Sequence, residues 1–219
     1  MALELIRAVE QADSSEGLLN TVKALAAADS KQAIPTLITV LGYNNPGAAV
    51  AAVDGLIQLG EAAVLPLLEQ LDGYNYGARA WAVRALAGIG DPRGLEVLLD
   101  TAANDFALSV RRAAARGVGT IRWEQMPAEQ VLEAQIRAVK TLLQASRDPE
   151  WVVRYAAVGG LQALAGAAVK PDWLAEVSVR LDEIVDRDET TSVRARALLA
   201  KEKLSPKNER MPLALDLGR

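Results

Sequence analysis

Residues 46–60 read PGAAVAAVDGLIQLG and residues 76–90 read YGARAWAVRALAGIG, and laid over each other the two share one spacing of small and apolar side chains. The same frame returns at 108–122, LSVRRAAARGVGTIR, and at 151–165, WVVRYAAVGGLQALA. A weaker fifth copy begins at Val193, VRARALLAKEKL. In the central copy Ala78, Ala82, Ala85, Leu86 and Ile89 fall on one face of a helix, at the spacing that buries a stripe. Alanines there let neighbouring helices approach closely, so this face is packing surface.

Working outward, each copy follows a second apolar segment: 34–41, 62–71, 93–103, about 128–146 and about 172–186. Gly42, Gly73, Asp91-Pro92 and Asp148-Pro149 mark the turns, because glycine ends helices and proline cannot continue them. Helix pairs recurring every 30 to 45 residues or so belong to stacked repeat proteins. The expected fold is therefore all-α: a right-handed α-solenoid of HEAT- or armadillo-like helical hairpins, about six pairs in all. Residues 1–204 read as a single repeat domain, with an N-terminal capping pair over 2–29 and repeats over 30–204. Residues 205–219, SPKNERMPLALDLGR, read as a loosely ordered tail.

Half of the 219 residues are hydrophobic but only 4% are aromatic, so the apolar mass is Ala, Leu and Val. Cysteine is absent, which excludes disulfides, a thiolate nucleophile and cysteine metal sites. Histidine is absent too, removing the commonest general base and metal ligand; no metal site is expected. The net charge of −4 argues against nucleic acid or an anionic membrane as partner. No stretch reaches the ~20 apolar residues of a membrane span, and MALELIRAVEQ is too charged for a signal peptide. A cytoplasmic protein is expected.

Beyond the packing positions, three copies carry Asp six residues before Arg: Asp105 and Arg111, Asp148 and Arg154, Asp188 and Arg194. Within or between repeats, these read first as a structural ladder. Arg79 holds the same place, but Gly73 stands where its aspartate would be, so Arg79 is expected to lack the usual partner. Two related loops, Gly42-Tyr43-Asn44-Asn45-Pro46 and Gly73-Tyr74-Asn75-Tyr76-Gly77, lead into consecutive second helices and hold three of the chain's four tyrosines. Asparagine before a helix is an ordinary cap; the tyrosines are less ordinary. Trp81 and Arg84 share a stripe offset from the core, and Arg84 is in phase with Asp54 one repeat back and Arg116 one repeat on. Equivalent positions of stacked repeats lie about 8–10 Å apart, so Asp54, Arg84 and Arg116 should form a row, with Arg112, Trp123, Trp151 and Tyr155 extending the aromatic and cationic supply toward the C-terminal repeats. Trp123, beside the insertion EQMPAEQ, is expected to plug a repeat junction. Aromatic walls and arginine forks suit a flat ligand with carboxylates. They equally suit a protein partner, and on residue types alone the protein partner is favoured.

The stretches GYNNPGAAVAAVDGL, GYNYGARAWAVRALAGIGDPRGLEVLL and DFALSVRRAAARGVGTIRW resemble the E/F-type phycobilin lyases, HEAT-like repeat proteins of cyanobacteria and red algae, most nearly the F subunit of the phycocyanin α-subunit phycocyanobilin lyases. The resemblance runs from about Leu5 to Ala165. It implies a heterodimer with an E-type subunit that binds an open-chain tetrapyrrole, phycocyanobilin, as substrate rather than as a tightly bound cofactor. The apo-phycocyanin α subunit would be the acceptor, one of its cysteines forming a thioether at ring A. Relatives that also isomerise the bilin carry a His-Cys pair; this chain has neither residue, which implies a non-isomerising lyase. The candidate bilin-binding residues are Tyr43, Asn44, Tyr74, Asn75, Tyr76, Arg79, Trp81, Arg84, Arg111, Arg112 and Arg116. No catalytic acid is fixed; Asp54, Tyr74 and Tyr76 are the candidates. The alternatives are a noncatalytic scaffold or chaperone for phycobiliproteins, and a factor that detaches bilins in phycobilisome turnover.

Overall fold

Each copy of the repeat folds as the second helix of a helical pair. The computed structural model of the protein describes residues 1–72, 76–167 and 172–205. The pairs are α1 (Ala2–Glu10) with α2 (Ser15–Ala27), α3 (Ile34–Val40) with α4 (Pro46–Leu59), and α5 (Glu61–Glu69) with α6 (Tyr76–Ile89). They continue as α7 (Leu95–Asn104) with α8 (Leu108–Val118), α9 (Ala128–Ala145) with α10 (Trp151–Ala167), and α11 (Leu174–Arg187) with α12 (Thr191–Leu204). Among the described residues there is no strand, and no helix is long and apolar enough to cross a membrane. Tail residues 206–219 and the loop residues 73–75 lie outside the described set.

Local chemistry sets the helix boundaries. Ser14 Oγ accepts the Gly17 N–H at 3.1 Å and opens α2. Asn45 does the same for α4, its Oδ1 accepting the Ala48 N–H at 3.0 Å, with Pro46 in the first turn where no N–H is needed. Asn45 is also buried, and its Nδ2 donates to the Ser15 carbonyl and hydroxyl, both at 3.0 Å. One side chain thus caps its own helix and fastens it to the preceding repeat. At the end of α6, Gly90 adopts φ +68°, and a Cβ there would stand 2.5 Å from the Thr120 carbonyl oxygen. Only glycine serves at that joint.

The second helices pack in chain order, α2 on α4, α4 on α6, and so on to α12, each meeting the next along much of its length. The first helices meet one another more sparingly. A stack held closer along one side curves toward that side, so the second helices form the inner wall. Between the layers runs one continuous core from Val9 to Ala200, with Leu25, Leu37, Leu56, Leu67, Leu86, Leu98, Leu142, Leu161 and Leu181 fully buried. Ala82, Ala85, Leu86 and Ile89 are buried as the periodicity requires, and Ala78 packs at the margin.

The tightness of the inner layer is testable at Gly117. A Cβ built there would fall 2.4 Å from Ala87 Cβ and 2.8 Å from Ala87 Cα, so α8 lies against α6 with no room for a side chain. Gly117→Val should destabilise the fold by about 1–3 kcal/mol despite removing a helix-weakening glycine. Thermal or urea unfolding checks this; a variant as stable as the parent contradicts the close approach.

Candidate functional site on the inner wall

On the exposed side of the second helices the expected row is present. Asp54 on α4, Arg84 on α6 and Arg116 on α8 are all exposed, and Arg112 is exposed one turn before Arg116. Among the described residues none of these four makes an ion pair or side-chain hydrogen bond. Arg84 instead rests on Trp81, its guanidinium carbon 5.5 Å from the ring centroid, a cation–π distance. Trp81 is half-buried with its body against the core, so it holds Arg84 up from below.

Two other candidate arginines belong to a different structure. Arg111 donates through Nε and Nη2 to the Asp148 carboxylate at 2.7 and 3.1 Å, and through Nη1 to the carbonyls of Asp105 and Phe106 at 2.9 and 3.0 Å. Arg154 repeats the pattern: Nε and Nη2 to Asp188 at 2.8 and 3.1 Å, Nη1 to the Asp148 and Pro149 carbonyls, both at 3.0 Å. Arg194 Nη1 donates to the Asp188 carbonyl. Arg111 and Arg154 therefore each seal the turn of their own repeat while gripping the carboxylate of the next, and Arg194 seals its own turn. Arg79 follows the rule, its Nε 3.2 Å from Asp105 Oδ2. The expectation that Arg79 lacks a partner is overturned, because the partner comes from the following repeat rather than from its own turn. Arg79 and Arg111 are ladder residues, each already engaged with an aspartate of the following repeat.

The ladder makes stability sensitive to acid. Burial alone would raise the Asp188 carboxyl, but hydrogen bonds from Arg154 and the Thr190 N–H outweigh it and hold the group below its usual 3.8. Asp148 is lowered in the same way, with Arg111 and the Glu150 N–H opposing burial. Groups depressed on folding stabilise the native state above their unfolded pKa, and that contribution is lost as pH falls through the folded value. The melting temperature should therefore drop progressively from about pH 4 downward. Asp188→Asn should flatten the acid limb, and a melt as high at about pH 3 as at about pH 6 contradicts the ladder's role.

Tyr43 and Asn44 are exposed at the turn into α4. With Glu10, Asp13, Ser14 and Leu18 they line a cleft of about 420 Å³. The structure places them with the N-terminal pair, at the helix-start edge, and not among the arginines of the row. Tyr74 and Asn75 lie outside the described residues, as does the side chain of Tyr76. Trp123 is buried at its repeat junction, as expected. Trp151 and Tyr155 on α10 are exposed and continue the aromatic supply. Arg196 on α12 was missed by sequence reasoning: it reaches back across α10, its Nη1 donating to Gln162 Oε1 at 2.9 Å. The only sequence signal for it is that Gly159 occupies the row position where other copies carry charge. No group of three or more carboxylates, histidines or cysteines among the described residues is placed to hold a metal.

HEAT repeat models match residues 66–138 and 138–167. A protein of Synechocystis sp. named "Phycocyanin alpha phycocyanobilin lyase CpcF" is 53% identical over 202 residues, covering 92% of this chain and 94% of that one. The "Phycocyanobilin lyase subunit beta" of Pseudanabaena tenuis is 56% identical over 211 residues, 95% of this chain and 75% of the relative. The chain belongs to the phycocyanobilin lyase β-subunit family. A chain of the CpcE–CpcF complex of phycocyanin lyase from a Nostoc species superposes with a TM-score of 0.73 at 52% identity, over 78% of this chain and 99% of that chain. A designed armadillo repeat protein reaches 0.60 at 18% identity, a likeness of fold alone.

Proposed function

We propose that this chain is the F-type half of a heterodimeric phycocyanobilin lyase, working with an E-type subunit to attach the bilin to a cysteine of the apo-phycocyanin α subunit in the cytoplasm. The observation that carries it is the sorting of arginines on the second helices. Those that build the stack are paired with aspartate or capped on carbonyls, while Arg84, Arg112 and Arg116 stand exposed along the inner wall with no ion pair among the described residues. A linear tetrapyrrole is flat, conjugated and carries two propionates. Arginine forks take carboxylates in bidentate fashion and Trp81 backs one of them with an aromatic face.

The covalent step needs no nucleophile from this chain. The acceptor's thiol adds across the exocyclic ethylidene double bond of ring A: sulfur bonds to the exocyclic carbon, the π bond is consumed, and the proton ends on the ring carbon. A chain without cysteine or histidine contributes by fixing the pigment's position and face, which is where an effective-concentration advantage arises. The absence of both residues also fits attachment without isomerisation. Phycocyanobilin enters as substrate, with no resident cofactor. Asp54 is the one candidate acid on the row itself.

The test is reconstitution. This chain, its E-type partner, phycocyanobilin and the apo-α subunit are mixed, and the covalent adduct is read by zinc fluorescence on a denaturing gel. Adduct well above the spontaneous background is expected. Bilin bound without adduct supports the scaffold reading instead, and release of bilin from loaded phycocyanin supports a detaching factor.

A further inference from the structure

The row on the inner wall has a gap that another helix fills. At the frame position of Asp54, Arg84 and Arg116, α10 carries Gly159. Over that glycine lies the guanidinium of Arg196 from α12: a Cβ at residue 159 would sit 3.4 Å from Arg196 Nη2 and 3.8 Å from its Nε. The charge missing from α10 is thus supplied from the next helix, and the cationic row continues across α6, α8 and α10.

Arg196 differs from every ladder arginine in what it touches. It is partly buried, and its one hydrogen bond among the described residues goes from Nη1 to the neutral Gln162 amide at 2.9 Å. No carboxylate pairs with it, and Nε and Nη2 have no partner among those residues. Burial lowers its pKa, with Tyr155 acting in the opposite direction. A partly desolvated guanidinium with one neutral partner holds unspent hydrogen-bonding capacity, and a carboxylate arriving there gains a charge-assisted fork with little water to displace. Exposed Tyr155, one turn before Gly159 on the same helix, gives the place an aromatic flank. Neighbouring second helices set successive members of the row about 8–10 Å apart.

We infer that Arg196 receives a carboxylate of the bound pigment and so helps fix how the tetrapyrrole lies along the wall. This rests on the reading of the inner wall as a bilin site. The experiment titrates phycocyanobilin and its dimethyl ester separately into the complex of this chain with its E-type partner, followed by visible absorption. The parent should bind the free acid more tightly than the diester. Arg196→Gln should weaken the free acid roughly tenfold and leave the diester unchanged, while Arg196→Lys recovers part of the loss. Gly159→Glu, which sets a carboxylate beside the intact guanidinium, should reproduce the defect with the arginine in place. If Arg196→Gln binds both forms as the parent does, or weakens both equally, the inference is wrong while the bilin site stands. If the parent binds neither form, the reading of the site itself fails and this inference with it.

Discussion

Arg154→Ala is expected to remove about 3–5 kcal/mol of folding stability, the usual cost of leaving one member of a buried ion pair behind. The Arg154 and Asp188 side chains are only 9% and 6% exposed. Truncation removes both guanidinium hydrogen bonds to the buried Asp188 carboxylate and strips the Asp148 and Pro149 carbonyls of their Arg154 donor. Against a total of about 5–15 kcal/mol for a domain, that loss brings the C-terminal repeats close to unfolding at growth temperature. Chemical denaturation of the purified chain measures it. A loss below about 1 kcal/mol would put this pair among ordinary surface ion pairs and remove the ladder as the element that registers one repeat on the next.

Arg84→Glu is expected to cut bilin transfer by about 10- to 100-fold, from the worth of a charge-assisted hydrogen bond, about 1.5–3 kcal/mol. Stability should hardly change. Arg84 is exposed, makes no ion pair among the described residues, and its one contact of note is the Trp81 face 5.5 Å away. The two readouts together separate a binding residue from a packing one. Transfer at the parental rate takes Arg84 out of the site; a large fall in melting temperature makes it structural.

The fold was legible because packing demands repeat. Ala82, Val83, Ala85 and Leu86 occupy the same frame as Ala52, Val53, Gly55 and Leu56, and all are buried. Asn45 could be read as a cap from its place before Pro46. Its second bond to Ser15, thirty residues back, could not, since that depends on how the repeats stack. The ladder was half legible. A spacing of six shows that Asp and Arg share a turn, but within that turn the arginine meets carbonyls, and its carboxylate lies 37 residues away in the case of Arg111 and Asp148. The binding row was legible wherever members share a frame position, as Asp54, Arg84 and Arg116 do. Arg196 escaped because it enters the row from a different position of a different helix, through space that Gly159 leaves open. Tyr43 and Asn44 share a loop pattern with Tyr74 and Asn75, but a pattern fixes residue types, and the fold sets Tyr43 and Asn44 against the α1–α2 turn.

The inner-wall arginines as carboxylate holders are tested most directly by pigment binding. Phycocyanobilin is titrated into the complex of this chain with its E-type partner, once with the parent and once with Arg84→Glu combined with Arg116→Glu, and the visible absorption band is followed. The account predicts a saturable band shift for the parent and none at the same pigment concentrations for the double variant, with both complexes folded. The same shift and the same saturation point in both would contradict it.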